Sequence, residues 1–109
     1  MKLQVIFSID KIEGIELLLS KLGNLQDYCQ SEGHSLQSEI VFMGTAVLYF
    51  KDLADDNLFF KLDVDIALCN NALRSNKMIA INHKNIRTVH AGIGELVVKR
   101  HNGWVDYVI

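Results

Sequence analysis

Short apolar runs alternate along this chain with longer segments of helical periodicity. The apolar runs are rich in β-branched and aromatic residues and only four to seven residues long, which is typical of strands buried on both faces. They lie at residues 3–9, 39–43, 64–68, 86–89 and 104–109. The remaining segments predict helices at residues 11–31, 45–52, 53–61, 72–78 and 93–100. Because strands that alternate with helices form βαβ crossovers, the sequence predicts an α/β fold, with a parallel sheet and helices on both of its faces.

The first predicted helix has the clearest pattern. Its apolar residues recur at steps of three or four from Ile12 to Cys29, as on the buried face of a surface helix. Asp10 is a candidate N-cap, and Gly33 is placed as a glycine that ends the helix. Since Gly14 weakens the first turn, we expect the helix to begin nearer Ile15.

The size and composition of the chain fit one small domain, residues 1–109. Half of the 109 residues are hydrophobic, which is enough for one core. A net charge of −2 gives no reason to expect a nucleic acid or an anionic membrane as partner, and no apolar run approaches the ~18 residues needed to span a bilayer. With two cysteines and no secretory signal, we expect a cytoplasmic protein whose thiols are reduced.

The carboxyl ends of the predicted strands are where a site is expected, because ligands of open α/β sheets collect there. Gly44 follows the second strand, Cys69 the third, and His90 with Gly92 the fourth. These residues can converge only if the three strands are neighbours in the sheet.

Cys69 is the leading candidate for a reactive residue. It precedes a predicted helix, whose N-terminal dipole favours a thiolate, and Asn70 and Asn71 are candidate caps that orient the N–H groups around it. The alternative is a small buried hydrophobe at a strand end, which is the commoner role of a free cysteine. Cys29, on the apolar face of the first helix, is interpreted as a core residue.

The residues after the fourth strand admit two interpretations each. His90 either hydrogen-bonds a thiolate or a bound anion, or is an exposed loop histidine. Glu95 is a first-turn acidic residue that the helix dipole favours, with simple helix stabilisation as its alternative role. Gly92 and Gly94 allow a close backbone approach, but they do not form a dinucleotide fingerprint. His34 and His83 have no second ligand at metal spacing, so the sequence predicts neither a metal nor a cofactor.

Three segments resemble one known family. They are the strand–cysteine–helix segment 64–74, the segment 89–97 followed by Gly103-Trp104, and, more weakly, the strand–glycine segment 41–47. In this order they are similar to the DsrE/DsrF-like (sulfur relay, TusD-like) family, and the matches cover about residues 40–109.

The resemblance implies a three-layer α/β/α sandwich with a mainly parallel five-stranded sheet. It also implies a homo-oligomer, sulfur donor and acceptor proteins as partners, and a sulfur-relay function in which Cys69 carries sulfur as a persulfide and passes it to a partner thiol. Such a sulfurtransferase needs no metal. The alternative is a non-catalytic module of the same fold that binds a small anion or nucleotide, or that acts as an oligomeric assembly partner.

Overall fold

Five strands form one parallel sheet in the computed structural model, which describes all 109 residues. The strands are β1 (Lys2–Ile9), β2 (Ser35–Phe42), β3 (Asp65–Cys69), β4 (Ile86–Val89) and β5 (Val105–Val108). Their order in the sheet is β4-β3-β2-β1-β5, and every neighbouring pair is parallel. The α/β fold predicted from the sequence is therefore confirmed.

Three α-helices and three 3-10 segments connect the strands. The helices are α1 (Ile15–Glu32), α2 (Asn70–Ser75) and α3 (Gly92–His101), and the 3-10 segments are Ile12–Gly14, Gly44–Phe50 and Leu58–Phe60. None of the helices is long and apolar enough to cross a membrane.

The sheet separates two apolar layers of unequal size. Because side chains alternate along a strand, Ile40 of β2 faces one layer and Val41 the other. The larger layer holds α1, the 3-10 segment Gly44–Phe50 and α2, and the smaller layer holds α3, whose Leu96 packs against the sheet. The result is a three-layer α/β/α sandwich in which one ten-residue helix covers a whole face.

Glycines flank the first helix. It starts at Ile15, as expected from the weak first turn, and its C-cap residue is Gly33, which has a left-handed φ of 75°. The prediction that Asp10 caps it is wrong, because a 3-10 turn lies between Asp10 and the helix and the N-cap residue is Gly14.

The segment between β2 and β3 differs most from the sequence prediction. The helix predicted at residues 45–52 is a 3-10 segment, and the one predicted at 53–61 is reduced to the short turn Leu58–Phe60. Asn57 is the N-cap residue of this short turn: its side-chain oxygen accepts a hydrogen bond from the backbone N–H of Phe59 at 3.0 Å, so the helical turn begins at Leu58 and not at Leu53.

Candidate functional site

The chain changes face between two neighbouring strands. The connections that follow β1, β2 and β3 pass over the face covered by α1 and α2, whereas the connection after β4 passes over the opposite face as α3. Neighbouring strands whose connections leave in opposite directions have a crevice between their carboxyl ends, where ligands of open α/β sheets bind. In this sheet those strands are β3 and β4.

The residues predicted from the sequence gather at this edge. β2, β3 and β4 are consecutive in the sheet, so the assumption that these strands are neighbours is confirmed. Cys69 is paired with Val89 across the β3–β4 register, and His90 is the next residue along the chain. Gly44 lies two residues beyond the end of β2.

Cys69 is nearly buried within the protein. Only 8% of the residue is exposed, and it contributes to the larger core at the point where β3 ends and α2 begins. Cys29 is 2% exposed, which confirms its assignment to the core, and the two thiols are free. A sulfur carrier needs a thiol that a partner can reach, so the few per cent that Cys69 exposes at the edge decide whether it can react.

The two asparagines after Cys69 do not cap α2, and the prediction that they do is wrong. The helix begins at Asn70, its N-cap is Cys69, and no side chain accepts a capping hydrogen bond. Asn70 and Asn71 therefore occupy the first two helical positions, from which their side chains do not reach the free N–H groups. Asn71 instead accepts a hydrogen bond from Arg74 Nη2 at 2.6 Å.

Gly44 shapes the edge by its backbone. Its φ of 53° is left-handed, and a Cβ at this position would collide with the carbonyl oxygen of Asp10, so glycine is required twice over. The Gly44 carbonyl accepts a hydrogen bond from Asn76 Nδ2 at 3.2 Å, which ties the end of β2 to the end of α2.

Of the two glycines of α3, only Gly92 makes a close approach. A Cβ at Gly92 would lie 2.6 Å from Met43 Sδ, so the first turn of α3 packs tightly on the end of β2. Gly94 is exposed, and a Cβ there would meet nothing within 4 Å. The close approach predicted for this pair is thus made to the protein's own Met43.

His90 is exposed beside a shallow hollow of about 280 Å³ between β4 and α3. The hollow is lined by Val89, His90, Ala91, Gly94, Glu95 and Val98. No hydrogen bond joins His90 to Cys69, so the histidine is a neighbour of the thiol without a direct bond to it. No group of three or more metal-ligating side chains is placed to hold a metal ion.

A cluster of charged residues under α3 was missed by the sequence analysis. This charge cluster consists of Glu39, Asp65, Arg87, Glu95 and Lys99, of which only Glu39 is fully buried. The sequence pattern places Glu39 at the start of a strand and gives Lys99 no role. The available signal was strand alternation, because Glu39 lies two residues before Val41 and so must point to the same covered face.

Glu39 is the central residue of the charge cluster. Its side chain has no exposed surface, Lys99 Nζ lies 3.3 Å from its Oε1, and Arg87 Nη2 lies 3.4 Å from the same oxygen. The pKa of Glu39 is raised to about 8, with burial as the largest cause and Glu95 adding to it, against the opposing effect of Lys99 and Arg87.

Glu95 joins the cluster through Arg87, whose Nη2 donates to its Oε1 at 2.7 Å. Burial would raise the pKa of Glu95, but the neighbouring carboxyl group of Glu39 and the contact with Arg87 outweigh it and lower that pKa. Glu95 therefore does more than stabilise the first turn of its helix, since it connects α3 to β4.

A solved structure has the same fold over its whole length. MTH1491, a protein of unknown function from Methanobacterium thermoautotrophicum, is similar with a TM-score of 0.78 and 23% identity, over 98% of this chain and 99% of that one. No protein-family model matches the chain, and no curated protein matches it. At this identity the likeness shows the fold alone, so function has to be inferred from the site.

Proposed function

We propose that this protein is a sulfur-relay protein of the DsrE/DsrF-like type, with Cys69 as the residue that carries sulfur. The observation that supports the proposal is the position of Cys69. It ends β3 opposite Val89 at the crevice between β3 and β4, with His90 as the following residue of the neighbouring strand.

The chemistry is a pair of exchanges at sulfur. The Cys69 thiolate attacks the outer sulfur of a donor persulfide, the donor S–S bond breaks, and the donor leaves as a thiolate. A thiolate of the acceptor protein then attacks the outer sulfur on Cys69, and Cys69 is released as a thiolate. Electrons balance in each step because one S–S bond forms as another breaks, so no metal or cofactor is consumed.

A sulfur carrier requires a thiolate that its partners can reach, and the residues around Cys69 bear on both requirements. The thiolate is the reactive form of cysteine, and the exposed His90 is a nearby group that can assist a bound anion or a proton transfer. Cys69 lies at the carboxyl end of β3, whereas Cys29 lies within α1, so a partner that approaches along this edge meets Cys69. The role also needs a reducing compartment such as the cytoplasm, since both thiols must stay free.

The experiment is intact mass spectrometry after incubation with a persulfide donor. We expect wild type to gain about 32 Da, one sulfur atom held as a persulfide, and to lose it again on reduction. Cys69→Ser should show no gain, whereas the matched variant Cys29→Ser should behave as wild type. Absence of the adduct in wild type, or its survival in Cys69→Ser, would contradict the proposal.

The second candidate is the non-catalytic module that assembles with copies of itself. The outward face of α3 favours it, because Ile93, Val97 and Val98 are each more than half exposed on a helix whose inward face carries Glu95 and Lys99. An apolar surface of this kind marks a contact site more often than a solvated face. In this case Cys69 is a packing residue, and Cys69→Ser leaves assembly intact.

A further inference from the structure

Glu39 is fully buried beneath α3, and its only polar contacts are the ion pairs of its Oε1 with Lys99 and Arg87. Neither of its carboxylate oxygens receives a hydrogen bond, although such groups are almost always satisfied in native structures. The groups that face it are Asp65 from β3, Arg87 from β4, and Glu95 and Lys99 from α3, while β1 contributes the uncharged Ile6.

The ionised form of Glu39 is costly at this position. Its side chain has no exposed surface and no hydrogen bond, whereas Asp65 and Arg87 are 45% and 38% exposed, so water solvates these two groups and not Glu39. Arg87 Nη2 contacts both Glu39 and Glu95, so these two carboxyl groups lie side by side. One proton between them removes the charge of the buried Glu39 carboxylate and supplies Glu39 with the hydrogen bond it lacks.

We propose that Glu39 and Glu95 share one proton and that this proton latches α3 onto the sheet, so that docking of α3 takes up a proton and its release becomes easier as the pH rises. Apart from the cluster, α3 is held at the sheet by only two buried residues, Gly92 and Leu96. Loss of the shared proton therefore removes a large part of the free energy that holds α3 on the sheet.

The direction follows from the two states of Glu39. With α3 released, its carboxyl is in water and has an ordinary pKa, whereas with α3 docked the pKa is about 8. Between these values the docked state binds a proton that the released state does not, so the latch is strongest at acid pH and weakens as the pH rises towards 8. Glu95, whose pKa is lowered, is ionised in both states over the upper part of this pH range. It therefore does not contribute to the pH dependence of α3 docking there.

The latch acts next to the crevice. α3 begins two residues after His90, and its first turn packs on Met43 at the end of β2. Release of α3 therefore frees the segment that follows His90, on the opposite face of the sheet from the core that contains Cys69. The inference concerns the attachment of a helix, and it holds whether or not Cys69 carries sulfur.

The test is backbone hydrogen exchange of the α3 segment, Gly92–His101, in wild type and in Glu39→Gln. Comparing the two proteins at the same pH cancels the intrinsic pH dependence of exchange. We expect the ratio of wild-type to Glu39→Gln exchange to rise about tenfold per pH unit from about pH 6 to about pH 7.5, since one proton is released on opening. Glu16→Gln, which changes an exposed carboxylate on α1, should keep the wild-type slope.

A ratio that does not change with pH would overturn the latch. So would an equal rise in the segment of β1, because the proton would then stabilise the whole fold instead of holding α3. If Glu39→Gln does not fold, Glu95→Gln provides the second test: without the neighbouring carboxyl the pKa of Glu39 falls, and the pH dependence of α3 exchange should shrink. An unchanged slope in Glu95→Gln would refute the shared proton.

Discussion

At the scale of single residues, two glycines have a left-handed backbone but differ in the space around them. Gly44 combines a left-handed backbone with a position where a side chain would meet the carbonyl oxygen of Asp10. Gly33 has a left-handed φ as well, but a Cβ there would meet nothing within 4 Å. A substitution at Gly33 therefore costs only the strained backbone conformation, whereas one at Gly44 also costs a steric clash.

We predict that Gly33→Ala lowers the free energy of unfolding by about 1–2 kcal/mol, the cost of a left-handed alanine. Gly44→Ala should lower it by a further 1–3 kcal/mol or so, because the edge must also move to accept the methyl group. Urea denaturation of both variants measures the difference. Equal losses of unfolding free energy in the two variants would mean that the backbone around Gly44 accommodates the methyl group without strain.

For two single residues, the amino-acid type is a poor guide to the role that the residue has in the structure. Asn71 is a good cap by type, yet it lies inside the helix and accepts a hydrogen bond from Arg74. Glu39 is a poor core residue by type, yet it is fully buried among charged partners. In both cases the role depends on which turn or strand is adjacent, and this information is not local.

At the scale of elements, the irregular segment between β2 and β3 is held by one aromatic side chain. Phe59 is fully buried, and its ring centroid lies 5.2 Å from that of Tyr49, 5.7 Å from that of Phe42 and 5.8 Å from that of Phe50. The side chain of Asn85 also donates to the Phe59 carbonyl at 2.7 Å. A segment with little regular structure is thus fixed by packing and by side-chain hydrogen bonds.

We predict that Phe59→Ala lowers the free energy of unfolding by about 3–5 kcal/mol, because a large cavity replaces the ring. Phe60→Ala is the matched control: the neighbouring ring is only half-buried and meets the His83 ring edge to face, with the centroids 5.3 Å apart, so its loss should cost clearly less. Denaturation of the two variants under one set of conditions makes the comparison. Similar losses would show that Phe59 does not anchor the segment.

At the scale of the whole molecule, the two faces of the sheet are covered unequally. α1, α2 and a 3-10 segment cover one face, and α3 alone covers the other. The outward side of α3 is apolar, and Val105 on β5 at the sheet edge is exposed too. A second copy of the chain is therefore the partner that the assembly proposal requires, since closed pairs are the commonest oligomers.

We predict that the protein is larger than the 12.3 kDa of one chain when its mass is measured by light scattering. Val97→Glu, which places a charge on the outward face of α3, should reduce it to a monomer because a buried unpaired charge is costly. Val105→Glu changes a valine of similar exposure on β5 and should leave the oligomer intact. A monomeric wild type would count against assembly, and loss of the oligomer in Val105→Glu alone would place the contact at the sheet edge.

The sequence alone determined the features that depend on short stretches of chain. Hydrophobic periodicity is local, so the five strands, the start of α1 near Ile15 and the α/β class could be predicted. It also placed Gly44, Cys69 and His90 after successive strands, and hence at the carboxyl edge of a parallel sheet. Between β2 and β3 the helices predicted at residues 45–52 and 53–61 are the 3-10 segments Gly44–Phe50 and Leu58–Phe60, since helical spacing and turn residues compete there over only a few positions.

The tertiary structure decided everything that depends on which elements are neighbours. Strand order put Cys69 opposite Val89, and the change of face after β4 put both at a crevice. The near-burial of Cys69 and the ion pairs of Glu39 arise from α2, α3 and strands distant in sequence. Neither burial nor charge pairing is a property of a short segment, because both are set by what packs against a residue and not by the residues beside it in the chain.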